Sequence, residues 1–269
     1  MKIRDRFWLW GQDPGSHHAC LDNLWKLPGV NRMEAAEGAD FLGVRNCCRV
    51  VMLGKPEPPF DAESEKMKNM RQVVWSIIGD LHSKRNDTGY GDIDEIIRQA
   101  KLYPNITGGV LDDFFGEDRR ALFPPRRLAE LRRMLRTGAG RPLNLWVVVY
   151  EHTLGVVDKA CLDECDVITF WTWRGDELPN LDRNFDKLQR LTPGKRRLAG
   201  CYLWNYGEAK PMTIAQMEDQ CGKYLQWMRQ GDLEGIIFCS NCIADIGLEA
   251  VDWARNWIKA VGDEEISAR

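Results

Sequence analysis

Three acidic side chains sit where hydrolytic chemistry would need them. Asp112 and Asp113 close the short apolar run Gly108-Gly109-Val110-Leu111, and Glu151 closes a longer one from Leu143 to Tyr150. An acid at the end of a buried strand, followed by a polar loop, is the arrangement found at the working rim of a parallel barrel enzyme. Two carboxyl groups flanking a bond can cleave a glycoside: one donates a proton to the leaving oxygen, and the other acts as nucleophile or base. Retaining chemistry needs them about 5–5.5 Å apart and inverting chemistry about 6.5–9.5 Å. Asp112 or Asp113, paired with Glu151 from the neighbouring strand, is therefore the expected catalytic set. Side chains alternate along a strand, so only one of Asp112 and Asp113 is expected to face the pocket.

A second group of residues suits sugar binding. Flat indole faces stack on the apolar faces of sugar rings, while the indole N–H binds a hydroxyl. Of eleven tryptophans, Trp10, Trp75, Trp173 and Trp204 fall near predicted strand ends and are candidate platforms, whereas Trp146 and Trp171 read better as barrel filling. Gln12, Asp13, His17, Tyr150, Asn205, Glu208 and Asn241 supply polar contacts at the same ends. Asp80, Arg174 and Tyr206 end or follow neighbouring strands. The four histidines (His17, His18, His82 and His152) form no compact ligand motif with the acids, so no metal is expected. No Gly-x-Gly-x-x-Gly or phosphate-loop pattern opens a helix, so no nucleotide cofactor is expected.

Composition narrows the class. The chain has 269 residues, 37 Lys and Arg against 40 Asp and Glu, and a net charge of −3. No basic face is evident, which argues against nucleic acid as partner. The most basic stretch, 126–136, has the spacing of an amphipathic outer helix. No apolar run is long enough to span a membrane, and the first residues lack a signal-peptide core, so a cytoplasmic location is expected. The nine cysteines, with Cys47, Cys48, Cys201 and Cys239 in apolar runs, read as small buried hydrophobes of a reducing compartment. Cys239-Ser240-Asn241-Cys242 is a lone pair without a second pair at zinc spacing.

The elements that must position these groups alternate strand and helix along the whole chain. Strands are predicted over 6–10, 48–53, 72–78, 108–115, 143–150, 167–173, 198–204 and 235–239. Their near-continuous apolar character indicates burial on both faces, the parallel-sheet case. Helices fall between them: one capped by Asn31 with Glu34 three residues on, one carrying Ile93, Ile96, Ile97 and Ala100, one opening on Pro124-Pro125, and one over 213–230 with Met217, Cys221, Tyr224, Leu225 and Met228 facing in. The loop after the third strand holds His82, Arg85, Asp87 and Tyr90. Gly108-Gly109 reads as turn chemistry, and the last eight residues as a frayed tail. Eight such units in this length make one (β/α)8 (TIM) barrel, a single domain over 1–269.

The chain resembles glycoside-hydrolase-like (β/α)8 barrels and, more narrowly, uncharacterised bacterial proteins opening with Trp-x-Trp-Gly-x-Asp-x-Gly-Ser-His, here Trp8 to His17. The resemblance implies a carbohydrate-active hydrolase working on a small-molecule or oligosaccharide substrate. An acid after strand 4 with a glutamate after strand 5 is the α-amylase-like placement, where they serve as nucleophile and acid/base. The segment Trp204-Asn205-Tyr206-Gly207-Glu208 departs from that pattern, lacking its His-Asp pair. The retaining clan with glutamates after strands 4 and 7 differs too, since strand 4 here ends in aspartates. A metal-dependent sugar isomerase or epimerase and a non-catalytic sugar-binding barrel are the alternatives on the same fold. The oligomeric state is not legible.

Overall fold

The computed structural model describes residues 1–83 and 89–266; Arg85 and Asp87 lie outside the described residues. Eight parallel strands close into a barrel: β1 (Phe7–Gly11), β2 (Asn46–Arg49), β3 (Gln72–Ile78), β4 (Ile106–Leu111), β5 (Asn144–Tyr150), β6 (Val167–Trp171), β7 (Arg196–Tyr202) and β8 (Gly235–Cys239). Each pairs with its sequence neighbours, and β1 meets β8 in the register Phe7↔Ile236 through Trp10↔Cys239. β1, β2, β6 and β8 are buried along their entire length, as strands covered on both faces must be. The predicted (β/α)8 barrel is the observed fold.

Among the described residues ten helices accompany the strands: α1 (Ser16–Ala19), α2 (Ala35–Leu42), α3 (Asp61–Lys66), α4 (Ile93–Leu102), α5 (Glu117–Leu122), α6 (Pro125–Gly138), α7 (Lys159–Glu164), α8 (Leu181–Leu191), α9 (Ile214–Gln230) and α10 (Glu249–Val261). The apolar stripes read from the sequence are the faces laid on the barrel. Ile93, Ile96, Ile97 and Ala100 of α4 are buried, as are Met217, Cys221, Tyr224, Leu225 and Met228 of α9. Thr213 caps α9 by accepting from the Gln216 amide at 3.2 Å, the local bond that fixes where the helix starts. No helix among the described residues is long and apolar enough to cross a membrane.

Packing inside the barrel is dominated by rings. Trp8 of β1 and Trp146 of β5 meet across the interior with centroids 5.0 Å apart, and Trp10 meets Trp171 at the same distance one layer up. Such bulk demands gaps elsewhere. A Cβ on Gly200 would fall 1.9 Å from the Trp171 ring, so β7 must carry glycine beside that indole. Gly108 and Gly109 serve the same end and not a turn: they lie inside β4, where a Cβ would strike the Asn144 carbonyl and the Ile77 side chain.

Other expectations are corrected. β2 runs over Asn46–Arg49, earlier than expected, because Val50–Leu53 bend away into the following loop. Asn31 does not cap α2, which opens at Glu34 with the Glu37 carboxylate accepting from the Glu34 amide at 2.9 Å. The tail is not frayed through residue 266: Ile3 donates to the Glu264 carbonyl at 2.9 Å and Ile266 to that of Met1 at 3.0 Å, tying the chain ends together. All nine cysteines are buried free thiols, as expected of small core hydrophobes.

Candidate active site

A cavity of about 590 Å³ opens at the C-terminal mouth of the barrel, within the range of small-ligand clefts. Its wall is made by the residues that end the strands: Trp10 from β1, Tyr150 from β5, Trp171 from β6, Tyr202 from β7 and Cys239 from β8, with Asp112 and Asp113 just past β4.

Both aspartates reach this cavity, where alternation led us to expect one. The reason is local. β4 ends at Leu111, so neither residue is extended strand, and Asp113 turns into the left-handed region at φ 45°. Asp is among the few residues that accept this region readily. The turn is closed by the Asp113 amide donating to Asp112 Oδ1 at 2.9 Å. Asp113 then receives the Tyr150 hydroxyl on Oδ1 at 2.7 Å and the Leu81 amide on Oδ2 at 3.1 Å. Asp80 stands beside them, its Oδ1 accepting from the Leu53 amide at 3.0 Å and its carbonyl from Arg119 at 2.7 Å.

These environments set the protons. Burial, and then the charges of Asp113 and Asp80, hold the Asp112 carboxyl well above the usual carboxylate range. Asp113 is also raised by burial, but the Tyr150 hydroxyl and the Leu81 amide oppose the shift by bonding its charged form. Burial thus raises both acids, and the charged form of Asp113 meets more donors than that of Asp112. Burial also raises the Tyr150 phenol, so that it remains a donor.

Glu151 does not join them. Its carboxylate lies outside the cavity wall, only 3% exposed, with Oε2 accepting from the Trp173 amide at 2.9 Å and the other oxygen buried without a partner. The chain passes from β5 straight into a short 3-10 turn over Glu151–Thr153, which swings the side chain towards the end of β6. Of the three acids expected as a catalytic set, the cavity wall thus includes Asp112 and Asp113 but not Glu151.

The remaining candidates separate into two tiers. Trp10, Gln12, His17, Tyr150 and Trp173 line the cavity. His17 is buried and donates from Nε2 to Gln12 Oε1, while its Nδ1 accepts from the Tyr206 hydroxyl at 2.8 Å; burial pushes its imidazole down to about 3, so it is neutral. The others stand behind this wall. Asp13 is ion-paired to Arg49, which is shared with Glu63. Asn241 brackets the Gln12 backbone, accepting from its amide at 2.8 Å and donating to its carbonyl at 2.9 Å. Asn205 accepts from the Gly175 amide at 3.0 Å and donates to Glu208 at 2.6 Å, and Glu208 is held by Lys210. Trp204 donates its indole N–H to the Trp25 carbonyl at 3.1 Å. Trp75 is the plainest correction: it faces outward and stacks on Phe60 at 4.3 Å under α3, because Ser76 and not Trp75 takes the inward position of the β3 pleat, accepting from the Val51 amide at 3.0 Å.

Two wall residues carried no advance signal strong enough to select them. Trp25 comes from the loop after β1, where Leu21, Asp22, Asn23 and Lys26 all have positive φ, and it meets Tyr206 edge-on at 5.0 Å. Tyr202 ends β7 and lies 5.6 Å from Trp173; an aromatic at a strand end was its only mark. Trp171, read as barrel filling, also reaches the cavity floor. Trp173 and Tyr206 lie nearly parallel at 5.6 Å. The cavity therefore combines the acids that follow β3 and β4 with a cluster of rings from the loop after β1 and the ends of β5, β6 and β7.

Comparison with known proteins places the fold. No family model matches the chain, and a search of curated proteins finds no match. Among solved structures, a glycoside hydrolase family 18 N-acetylglucosaminidase from Paenibacillus barengoltzii aligns with TM-score 0.56 and 11% identity, over 93% of this chain and 98% of that one. A GH113 β-1,4-mannanase aligns with TM-score 0.55 and 12% identity, over 98% and 99%. The β-D-glucuronidase of Dictyoglomus thermophilum aligns with TM-score 0.52 and 10% identity, over 85% and 47%. At such identities the likeness shows the barrel alone.

Proposed function

We propose that the protein is a glycoside hydrolase acting on a small glycoside or oligosaccharide in this cavity, with Asp112 as general acid and Asp113 as the ionised partner. The observation that carries the reading is the unequal pair: two adjacent carboxyls at the cavity, Asp112 bonded by one backbone amide and Asp113 held by the Tyr150 hydroxyl and the Leu81 amide. A carboxyl that keeps its proton near neutrality can protonate a leaving alkoxide. Its charged neighbour can stabilise the cationic character that develops at the sugar. The aromatic cluster supplies stacking surfaces for the sugar ring.

Each remaining residue has a place in this scheme. Tyr150 holds Asp113 in its ionised form and fixes its rotamer. Glu151 acts through Trp173, pinning the start of the loop that carries it. His17 orients the Tyr206 hydroxyl, leaving that oxygen free to accept from a substrate hydroxyl. The test is hydrolysis of a panel of aryl glycosides and oligosaccharides by the purified protein. Release of a reducing sugar that disappears in both Asp112→Asn and Asp113→Asn, with folding intact, is the expected result. Undiminished release in both variants on a substrate the protein turns over would refute the assignment.

A further inference from the structure

We infer that the sugar taken by this site carries a protonated amine, its ammonium group held by the acids of the cavity and roofed by its rings. The inference rests on the sugar-binding reading above and narrows it to amino sugars.

The argument begins with a charge imbalance. Asp80, Asp112 and Asp113 all line the cavity, yet none forms an ion pair with a lysine or arginine among the described residues. The nearby Arg119 guanidinium donates to the backbone carbonyl of Asp80, and Arg174, at the rim, pairs with Asp176. The second observation is independent of the first. Asp112 is only 4% exposed, and one of its oxygens accepts from the Asp113 amide. The other has no protein partner among the described residues and belongs to a side chain that lines the cavity. That oxygen is open to the cavity, where it can meet a polar group brought in by a ligand.

The aromatic cluster decides which group. Trp25, Trp173, Tyr202 and Tyr206 meet one another at 5.0–6.1 Å, largely edge to face, so the rings present more than one π surface. Ring faces attract cations, the more strongly the drier the contact. Acids and π faces together favour a cation with apolar edges. A neutral sugar would leave the acids uncompensated. A uronic acid would add like charge to them, which is penalised strongly in a desolvated cleft. An amino sugar satisfies both: its ammonium lies against Asp113 and Asp80, and its ring stacks on the indoles, with the free Asp112 oxygen left for the glycosidic oxygen.

The experiment is calorimetric titration of the full-length protein with four oligosaccharides of equal length: one of glucosamine, its N-acetylated counterpart, one of glucose and one of galacturonic acid. The glucosamine oligomer should bind at least tenfold more tightly than each of the others, and Asp113→Asn should reduce that ratio to within about twofold. Tetramethylammonium chloride should compete with it. Equal or tighter binding of the acetylated, neutral or acidic oligomer would overturn the inference, as would no binding by any of the four. Turnover is scored separately. Hydrolysis of a neutral or acetylated sugar without amine preference removes this inference and leaves the hydrolase reading, whereas tight amine binding with no hydrolysis of any oligomer does the reverse.

Discussion

Replacing Asp113 by Asn is the sharpest test of the unequal pair. The substitution is nearly isosteric, and Asn accepts the left-handed backbone that this position imposes at φ 45°, so the turn after β4 should survive. It keeps an oxygen for either the Tyr150 hydroxyl at 2.7 Å or the Leu81 amide at 3.1 Å, but it removes the charge. A group that stabilises or transfers charge in the transition state is worth about 10²–10⁴ in rate, which is roughly 3–5 kcal/mol at about 1.4 kcal/mol per factor of ten. We therefore expect kcat/KM on the best glycoside found to fall at least about a hundredfold. Because Asp113 is itself raised by burial, the neutral amide should leave Tm unchanged or higher at pH 7. The assay is initial-rate hydrolysis with a parallel melting curve. Retention of more than about half of wild-type kcat/KM by a folded Asp113→Asn protein would refute the role given to this side chain, and Asp113→Ala, which strains the turn, could not rescue the argument.

Five further outcomes are expected. Both carboxyls are raised, Asp112 most of all, so both limbs of the kcat/KM profile should lie above the ordinary carboxylate range of about 4, and Asp112→Asn should abolish the basic limb. The same shift has a stability consequence. A carboxyl raised by folding contributes stability below its unfolded value and loses it as pH climbs through the folded one, so the Tm advantage of Asp112→Asn over wild type should grow from pH 4 to pH 8; a difference constant with pH would show that the carboxyl is not raised. Glu151→Gln keeps an acceptor for the Trp173 amide and should retain at least about a third of wild-type kcat/KM, whereas Glu151→Ala should raise KM more than it lowers kcat; a hundredfold fall in kcat for Glu151→Gln would restore a direct chemical role. Arg49→Met leaves Asp13 without its cation and Glu63 with Lys66 alone and should cost about 3 kcal/mol, a fall of roughly 6–12 °C in Tm, checked by calorimetry. Gly200→Ala drives a methyl into the Trp171 ring and should cost about 1–3 kcal/mol or more, with weakened sugar binding because that ring forms part of the cavity floor.

The barrel was legible because its signal is collective. Eight apolar runs such as Val147-Val148-Val149 and Ile236-Ile237-Phe238, each bounded by turn residues, admit few arrangements other than a closed parallel sheet. Strand ends were legible for the same reason, and most of the cavity wall follows from them: Trp10, Tyr150 and Trp173 are where the pattern puts them. What failed was the last residue or two of each element, which decides the direction of a side chain. A strand assignment carried through Asp113 makes the two aspartates diverge. Ending β4 at Leu111 makes them converge, and nothing in Leu111-Asp112-Asp113 distinguishes the two. Likewise, one step of register along β3 sends Trp75 to the outside and Ser76 to the interior.

The misplacement of Glu151 has a deeper cause. Its position in the sequence, one residue past a buried strand, is indistinguishable from that of a catalytic acid, and so is its burial. The difference lies in what its neighbours can offer. Asp113 meets a phenol and a loop amide that are themselves fixed by burial and by the turn, so its charge is held facing the cavity. Glu151 meets the Trp173 amide, a backbone donor left free where β6 ends at Trp171, and is drawn back into the wall. Donors at a barrel rim thus sort otherwise equivalent carboxylates into those that face the cavity and those that brace the loops around it. A sequence shows the acids but not which donors the ends of adjacent strands leave unpaired. If that account holds, supplying the Trp173 amide from elsewhere should free Glu151: in Thr172→Asp, whose carboxylate can cap the amide of its own loop, the Glu151 carboxyl should gain solvent exposure, seen as a changed resonance in carboxyl-labelled NMR. An unchanged Glu151 resonance would place the cause in the 3-10 turn after β5 instead.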